Sequence, residues 1–131
     1  MVVFLDTSAI YALADDQDAH HAGASSSFES ALRAGDLFLT HSYVVVESVA
    51  LLARRLGWEP TKRFLEQAQL FRMRWVDEPL HAAGLDRFVE RKGRFSLVDE
   101  VSFLVMREHG VRHALAFDRH FWEEGFFPYP A

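Results

Sequence analysis

Cysteine is absent from the 131-residue chain, which excludes disulfides and thiolate metal sites outright. Positive charge is also scarce: 14 Lys and Arg face 19 Asp and Glu, a formal net charge of −5. That argues against a protein holding nucleic acid by bulk positive charge. It leaves open an acidic pocket whose local sign a bound metal ion reverses. Long apolar runs are missing. The longest, Tyr43 to Ala53, is interrupted by Glu47 and Ser48 and is too short to span a bilayer. No basic lead precedes the first apolar run, which Asp6 breaks, so no signal peptide is expected and the cytoplasm is the default location. No repeat, low-complexity segment or long linker divides the chain, and one domain over residues 1–131 is expected.

What is present has the balance of an ordinary globular protein, with 50% apolar and 25% charged residues. The stretch that organises the rest is Val2-Val3-Phe4-Leu5-Asp6-Thr7-Ser8-Ala9-Ile10. A short run of Val and Phe reads as a buried strand, and Asp, Thr and Ser just after it are residues that cap a helix start. Asp6 is therefore expected at the carboxyl end of a central strand, the edge where open α/β sheets bind ligands. Helices are predicted over Ser8–Ala14, Ala19–Ala34 (stopped by Gly35), Tyr43–Leu56 (capped by Ser42), Pro60–Phe71, Pro79–Gly93, Ser96–His109 and Arg119–Glu124. Strands are predicted over Leu37–Thr40, Arg72–Val76 and His113–Phe117, with an edge strand in the tail from Phe126 to Pro130. Strands alternating with helices imply a largely parallel sheet covered on both faces, an α/β fold.

Four acids stand out. Asp6, Asp99 and Asp118 each have a structural reading: Asp6 and Asp118 as helix caps, Asp99 as the acid of a Ser96-x-x-Asp99 capping box. Glu47 lacks one. Its neighbours three and four residues away, Tyr43, Val44, Ala50 and Leu51, include no cation, and a charge on an apolar face needs a partner. Asp6 and Asp118 follow strands, and neighbouring strands lie about 5 Å apart, so their carboxylates can converge if those strands pair. Thr7 or Ser8 can cap the first helix and leave the Asp6 carboxylate free. Glu47, about two turns into its helix, lies within reach of the same edge. Four carboxylates crowded together repel, and some stay protonated at neutral pH unless a cation joins them. Oxygen donors without thiolates select a hard ion, Mg²⁺ or Mn²⁺, which suits in-line phosphodiester hydrolysis.

With these residues the chain resembles the PIN domain family and, within it, the VapC-type ribonuclease toxins of toxin–antitoxin pairs. The matching pieces are Phe4-Leu5-Asp6-Thr7-Ser8-Ala9, Glu47 in the helix after the second strand, Ser96-Leu97-Val98-Asp99, and Phe117-Asp118-Arg119-His120-Phe121. The resemblance spans essentially the whole chain. It implies a three-layer α/β/α fold with strand order 3-2-1-4-5 and a Mg²⁺- or Mn²⁺-dependent endoribonuclease. It also implies an RNA substrate, a VapB-type antitoxin that blocks the acidic pocket, and a homodimer. By position, Asp6, Glu47, Asp99 and Asp118 match the family's acidic quartet, as catalytic and metal-holding residues. Thr7 or Ser8 matches the hydroxyl beside the first acid. One departure is Glu100, which stands where a small residue is more usual; Asp99 is taken as the acid facing the metal.

The most basic short run, Glu90-Arg91-Lys92-Gly93-Arg94, reads as a solvated helix end or as an RNA-backbone contact through Arg91, Lys92 and Arg94, with Arg119 a similar candidate. Among the seven histidines no pair has zinc-ligand spacing with an acid, and His41 alone stands near the sheet edge. Trp58, Trp75 and Trp122 read as packing or interface residues. The rival reading is a non-catalytic interaction module on the same fold, its acids serving as caps. A haloacid-dehalogenase-type phosphatase needs an acid where Ser8 stands, and a receiver domain needs an acid pair beside the first strand that is missing here.

Overall fold

Val3, Phe4 and Leu5 are buried completely, and that is what makes the opening strand the centre of the sheet. The computed structural model describes residues 1–130. β1 (Val2–Leu5) pairs in parallel with β2 (Leu37–His41) on one side and β4 (His113–Leu115) on the other. β3 (Arg72–Arg74) and β5 (Phe127–Pro128) complete a parallel five-stranded sheet of order β3-β2-β1-β4-β5. This is the α/β/α arrangement and strand order implied by the resemblance.

Side-chain alternation along β1 divides the core in two. Phe4, in register with Leu39 and Ala114, meets Phe121 at 5.8 Å, and Phe121 meets Phe103 edge-on at 5.4 Å. Those partners come from α7 (His120–Glu123) and α6 (Leu97–Glu108), which with α5 (Glu78–Glu90) cover this face. On the other face Phe38, in register with Val3, stacks on Phe28 at 4.8 Å and meets Phe71 at 5.9 Å. Phe28 belongs to α2 (His21–Ala34); α1 (Thr7–Ala14), α3 (Ser42–Arg55) and α4 (Trp58–Ala68) pack on the same side. Phe4, Phe38, Phe103 and Phe121, which are buried, each contribute about 1.5–3 kcal/mol relative to leaving them exposed, whereas Phe28 and Phe71 are partly buried. Gly84 lets α5 lie close on α6: a Cβ there would stand 2.7 Å from the Cγ2 of Val101.

Element boundaries differ from expectation in ways that matter for the site. α3 is capped by His41, whose Nδ1 accepts the Val44 N–H, and not by Ser42, whose Oγ accepts the Val76 N–H at 2.9 Å. β4 ends at Leu115, two residues early, because the Phe117 N–H leaves the ladder and donates to the Ser8 hydroxyl at 3.0 Å. Asp118 therefore sits in a turn beyond the strand, not directly on its end. No helix among the described residues is long and apolar enough to cross a membrane.

Candidate active site

Asp6 stands where β1 becomes α1, with its backbone N–H donating to the Leu115 carbonyl of β4 at 3.2 Å. It is the N-cap of α1: Oδ2 accepts the Ser8 N–H at 3.2 Å and the Ser8 hydroxyl at 2.7 Å. The expectation that Thr7 or Ser8 caps the helix in its place is corrected, because the Ser8 hydroxyl turns outward to link Asp6 with Phe117. Both bonds end on Oδ2, so capping engages one carboxylate oxygen and leaves Oδ1 for another role. Burial pushes the Asp6 carboxyl up to about 6 from 3.8; the Ser8 donors oppose that shift and the nearby charge of Asp99 adds to it. Thr7 is buried and its Oγ1 accepts from Ser48 of α3 at 3.4 Å.

Asp99 lies in the first turn of α6, where the Ser96 hydroxyl accepts its backbone N–H at 3.0 Å. Its carboxylate takes a different partner. His120 Nδ1 lies 2.8 Å from Asp99 Oδ2 and 3.3 Å from Asp118 Oδ1. A carboxylate only accepts, so the ring donates from Nδ1. Asp99, Asp118 and His120 each bring a ligand atom within 4.8 Å of the others. Burial raises the Asp99 carboxyl above its ordinary value against the pull of the His120 hydrogen bond, and the Asp118 charge adds to the rise. The charge of Asp99 thus reaches Asp6, and that of Asp118 reaches Asp99, at the carboxyl edge of β1 and β4.

Glu47 is placed differently from its expected environment. It is exposed on α3, beside Val46 (67% exposed), so water solvates its carboxylate and the charge needs no partner from the protein. What links it to the site is position: the next residue, Ser48, carries the contact to Thr7. Glu100 has no place in the site. It is fully buried and paired with Arg87 at 3.2 Å and Arg91 at 2.7 Å. Glu124 joins the same network through Arg91 and through Arg107 at 2.8 Å, which hold its carboxyl down to about 2. The guanidinium of Arg91 is thereby committed to structure, and its expected contact with an RNA backbone has no free face of donors behind it. Lys92 is exposed; Arg94 reaches Glu123 at 3.4 Å across the face of Phe95; Arg119 is 84% exposed beside Asp118.

His41 is buried, bonded to Ser102 at 2.8 Å, and pushed by burial down to about 3, so it is a neutral structural residue and not part of the acid cluster. Sequence reasoning misses His120. The available signal was its spacing, two residues after Asp118 and just before the core residue Phe121. The donor set fits a hard divalent cation: carboxylate oxygens dominate, one imidazole aligns two of them, and the buried pair needs positive charge to ionise together.

A family model described as PIN domain matches residues 3–124. The 23S rRNA-specific endonuclease VapC20 of Mycobacterium tuberculosis, in two strains, is 31% identical over 128 residues, which cover 95% of this chain and 95% of the relative. The crystal structure of Mycobacterium tuberculosis VapC20, described as a Sarcin-Ricin loop cleaving toxin, superposes with a TM-score of 0.84 at 30% identity over 96% of each chain.

Proposed function

The chain belongs to the PIN domain family, in its VapC-like branch, and from that premise we propose that it is a Mg²⁺- or Mn²⁺-dependent endoribonuclease, the toxin of a toxin–antitoxin pair. Asp6, Glu47, Asp99 and Asp118 hold the metal and form the catalytic quartet. The observation that carries the proposal is His120 donating between Asp99 and Asp118, at 2.8 and 3.3 Å, beside the buried Asp6. A purely capping role leaves that arrangement without a purpose, since the Asp99 carboxylate meets His120 besides the cap residue Ser96.

A divalent ion bound there supplies an acidified water and neutralises charge on the phosphodiester. The chain does the rest. Ser8 pins Asp6 to the end of β4, and His120 fixes the angle between Asp99 and Asp118. Asp118, the most exposed of the three aspartates at 40%, is placed to orient the attacking water and take its proton. Lys92, Arg94 and Arg119 are the cations left to meet the RNA backbone. The remaining parts of the proposal are a single domain over residues 1–131, a homodimer, a VapB-type antitoxin covering the acids and a cytoplasmic location.

Cleavage of purified ribosomes and of protein-free 23S rRNA, read by primer extension with Mg²⁺, with Mn²⁺ and with EDTA, tests the reading. Cleavage is expected only with the divalent ions and is expected to vanish in Asp99→Asn. Cutting that survives EDTA or persists in Asp99→Asn refutes the mechanism, and no cutting of any RNA by the wild-type protein refutes the activity.

A further inference from the structure

Beside the acids runs an open cleft of about 320 Å³, with Ser8 and Asp118 on the site's side and Tyr11, Asp18, His20 and Phe117 around it. Its most unusual feature is a pair of rings from distant parts of the chain. The His20 imidazole lies on the Phe117 ring with centroids 4.4 Å apart and planes inclined by 8°. His20 is exposed at the start of α2, whereas its neighbour His21 is anchored away from the cleft by the Ala12 carbonyl at 2.8 Å. The fold therefore holds His20 flat on Phe117 although neither its side chain caps α2 nor any ion pair requires it.

The rest of the cleft describes an occupant. Leu51 gives it an apolar wall. Asp18 accepts the His20 N–H through Oδ1 at 2.8 Å, which leaves Oδ2 as an acceptor at the rim. Tyr11 donates to Asp15 at 2.7 Å, and the Arg55 guanidinium sits 5.5 Å above the Tyr11 ring, so a cation stands at the outer edge. The volume is at the lower end of small-ligand sites, roughly 300–1,000 Å³, enough for one planar group and too small for a helix or a loop. Acids within the cleft disfavour a phosphate there; an aromatic plane with an acceptor beside it favours a flat ring with N–H donors on its edge. Single-stranded RNA is read in this way, by unstacked bases laid on Phe, Tyr, Trp or His and bonded along their edges.

We propose that this cleft is a base-binding subsite in which a base of the RNA, next to the phosphate held at the acids, stacks on the His20–Phe117 pair and donates to Asp18, a purine before a pyrimidine because its two fused rings stack more strongly. The proposal rests on the ribonuclease reading and deepens it. It makes His20 a substrate-contacting residue outside the acidic quartet and assigns the enzyme a preference for unpaired purine at one position flanking the cut.

Two arms test it. In the first, the His20 imidazole proton signals are followed by NMR, assigned by their loss in His20→Ala, while GMP or UMP is added to the wild-type protein. A saturable upfield shift, stronger with GMP, is expected, and no movement with either nucleotide overturns the subsite whether or not the protein cuts RNA. In the second arm, KM and kcat are measured on an RNA that the wild type cleaves and on copies carrying an abasic residue at each position around the cut. His20→Ala is expected to raise KM about 5- to 150-fold, the alanine-scan cost of one base–aromatic stack. kcat should stay near wild type, and His20→Phe should restore KM. One abasic position should cost the wild type the same factor and cost His20→Ala nothing further. An unchanged KM in His20→Ala overturns the subsite while leaving the ribonuclease reading intact. A wild type that cuts no RNA overturns that reading, and the nucleotide arm then decides on the cleft alone.

Discussion

Replacing Asp6 with asparagine is expected to stabilise the metal-free protein at neutral pH, the opposite of what removing a buried, hydrogen-bonded charge usually does. The reason is the raised pKa of the folded form. Below pH 3.8 the Asp6 carboxyl is protonated in both the folded and unfolded chain and makes no difference to stability. Between 3.8 and about 6 the unfolded chain has lost this proton and the folded chain keeps it, so stability falls as pH rises. Above about 6 the loss is complete. At 1.36 kcal/mol per pH unit the gap is worth about 3 kcal/mol. Asparagine caps a helix as well as aspartate, and its carbonyl oxygen can accept both Ser8 donors, so Asp6→Asn escapes the cost and keeps the local structure. Urea unfolding in EDTA should therefore give nearly equal stabilities for wild type and variant at pH 4, and a variant more stable by up to about 3 kcal/mol at pH 7.5. Adding Mg²⁺ should reverse the order or close the gap, since an ion that binds only the folded wild type at a hundred times its dissociation constant contributes about 2.7 kcal/mol. A difference that is the same at pH 4 and pH 7.5, or a variant less stable at pH 7.5 without metal, would refute the effect ascribed to burial.

His120→Ala should lower cleavage about 10- to 100-fold and raise the Mn²⁺ concentration needed for half-maximal activity, because Asp99 and Asp118 lose the donor that orients them; unchanged metal dependence would remove His120 from the site. Glu100→Gln should cost about 3 kcal/mol in urea unfolding, the lower end for breaking a buried pair since Arg87 and Arg91 retain some solvent, while activity per folded molecule is unchanged. A Glu100 variant that folds normally and loses metal binding would return this acid to the site. Gly84→Val should cost about 1–3 kcal/mol through overpacking of α5 against Val101, measured by the same unfolding curves, and a neutral result would mean the two helices can part without penalty.

The parts of the fold legible in the sequence are those set by short-range pattern. Val2 to Leu5 reads as a central strand because burial on both faces demands an unbroken apolar run, and Ser96 reads as a cap because its partner, the Asp99 N–H, is three residues away. What could not be read is long-range. Glu100 is an acid beside Asp99 with no partner readable in the sequence until Arg87 and Arg91 close on it, and His120 is one histidine among seven until folding brings it to Asp99 across 21 residues. Glu47 is the converse case. Apolar residues three and four positions away suggest a buried face, but Ala50 is exposed and only Val44 of that set is fully covered, so the charge is solvated. Its candidacy rests on where α3 meets Thr7 and on the family pattern, not on desolvation.

Asp6 shows why a capping residue and a metal-holding residue need not be alternatives. A helix N-cap requires one acceptor lone pair aimed at the N–H two or three residues on. A carboxylate has two oxygens, and here the cap bond and the Ser8 hydroxyl both fall on Oδ2. The cap fixes the rotation of the group and leaves Oδ1 outside the cap bonds without further ordering cost. The positive end of the α1 dipole lies at the same point and favours the ionised form, partly offsetting the burial that raises it to about 6. Capping is thus the means by which the sequence at the β1–α1 junction orients the first acid. Asp6→Ser, which keeps a cap and removes the carboxylate, should retain α1 and the fold, read by circular dichroism, while abolishing cleavage. An Asp6→Ser variant that still cuts RNA would separate the two roles and leave Asp6 as a cap alone.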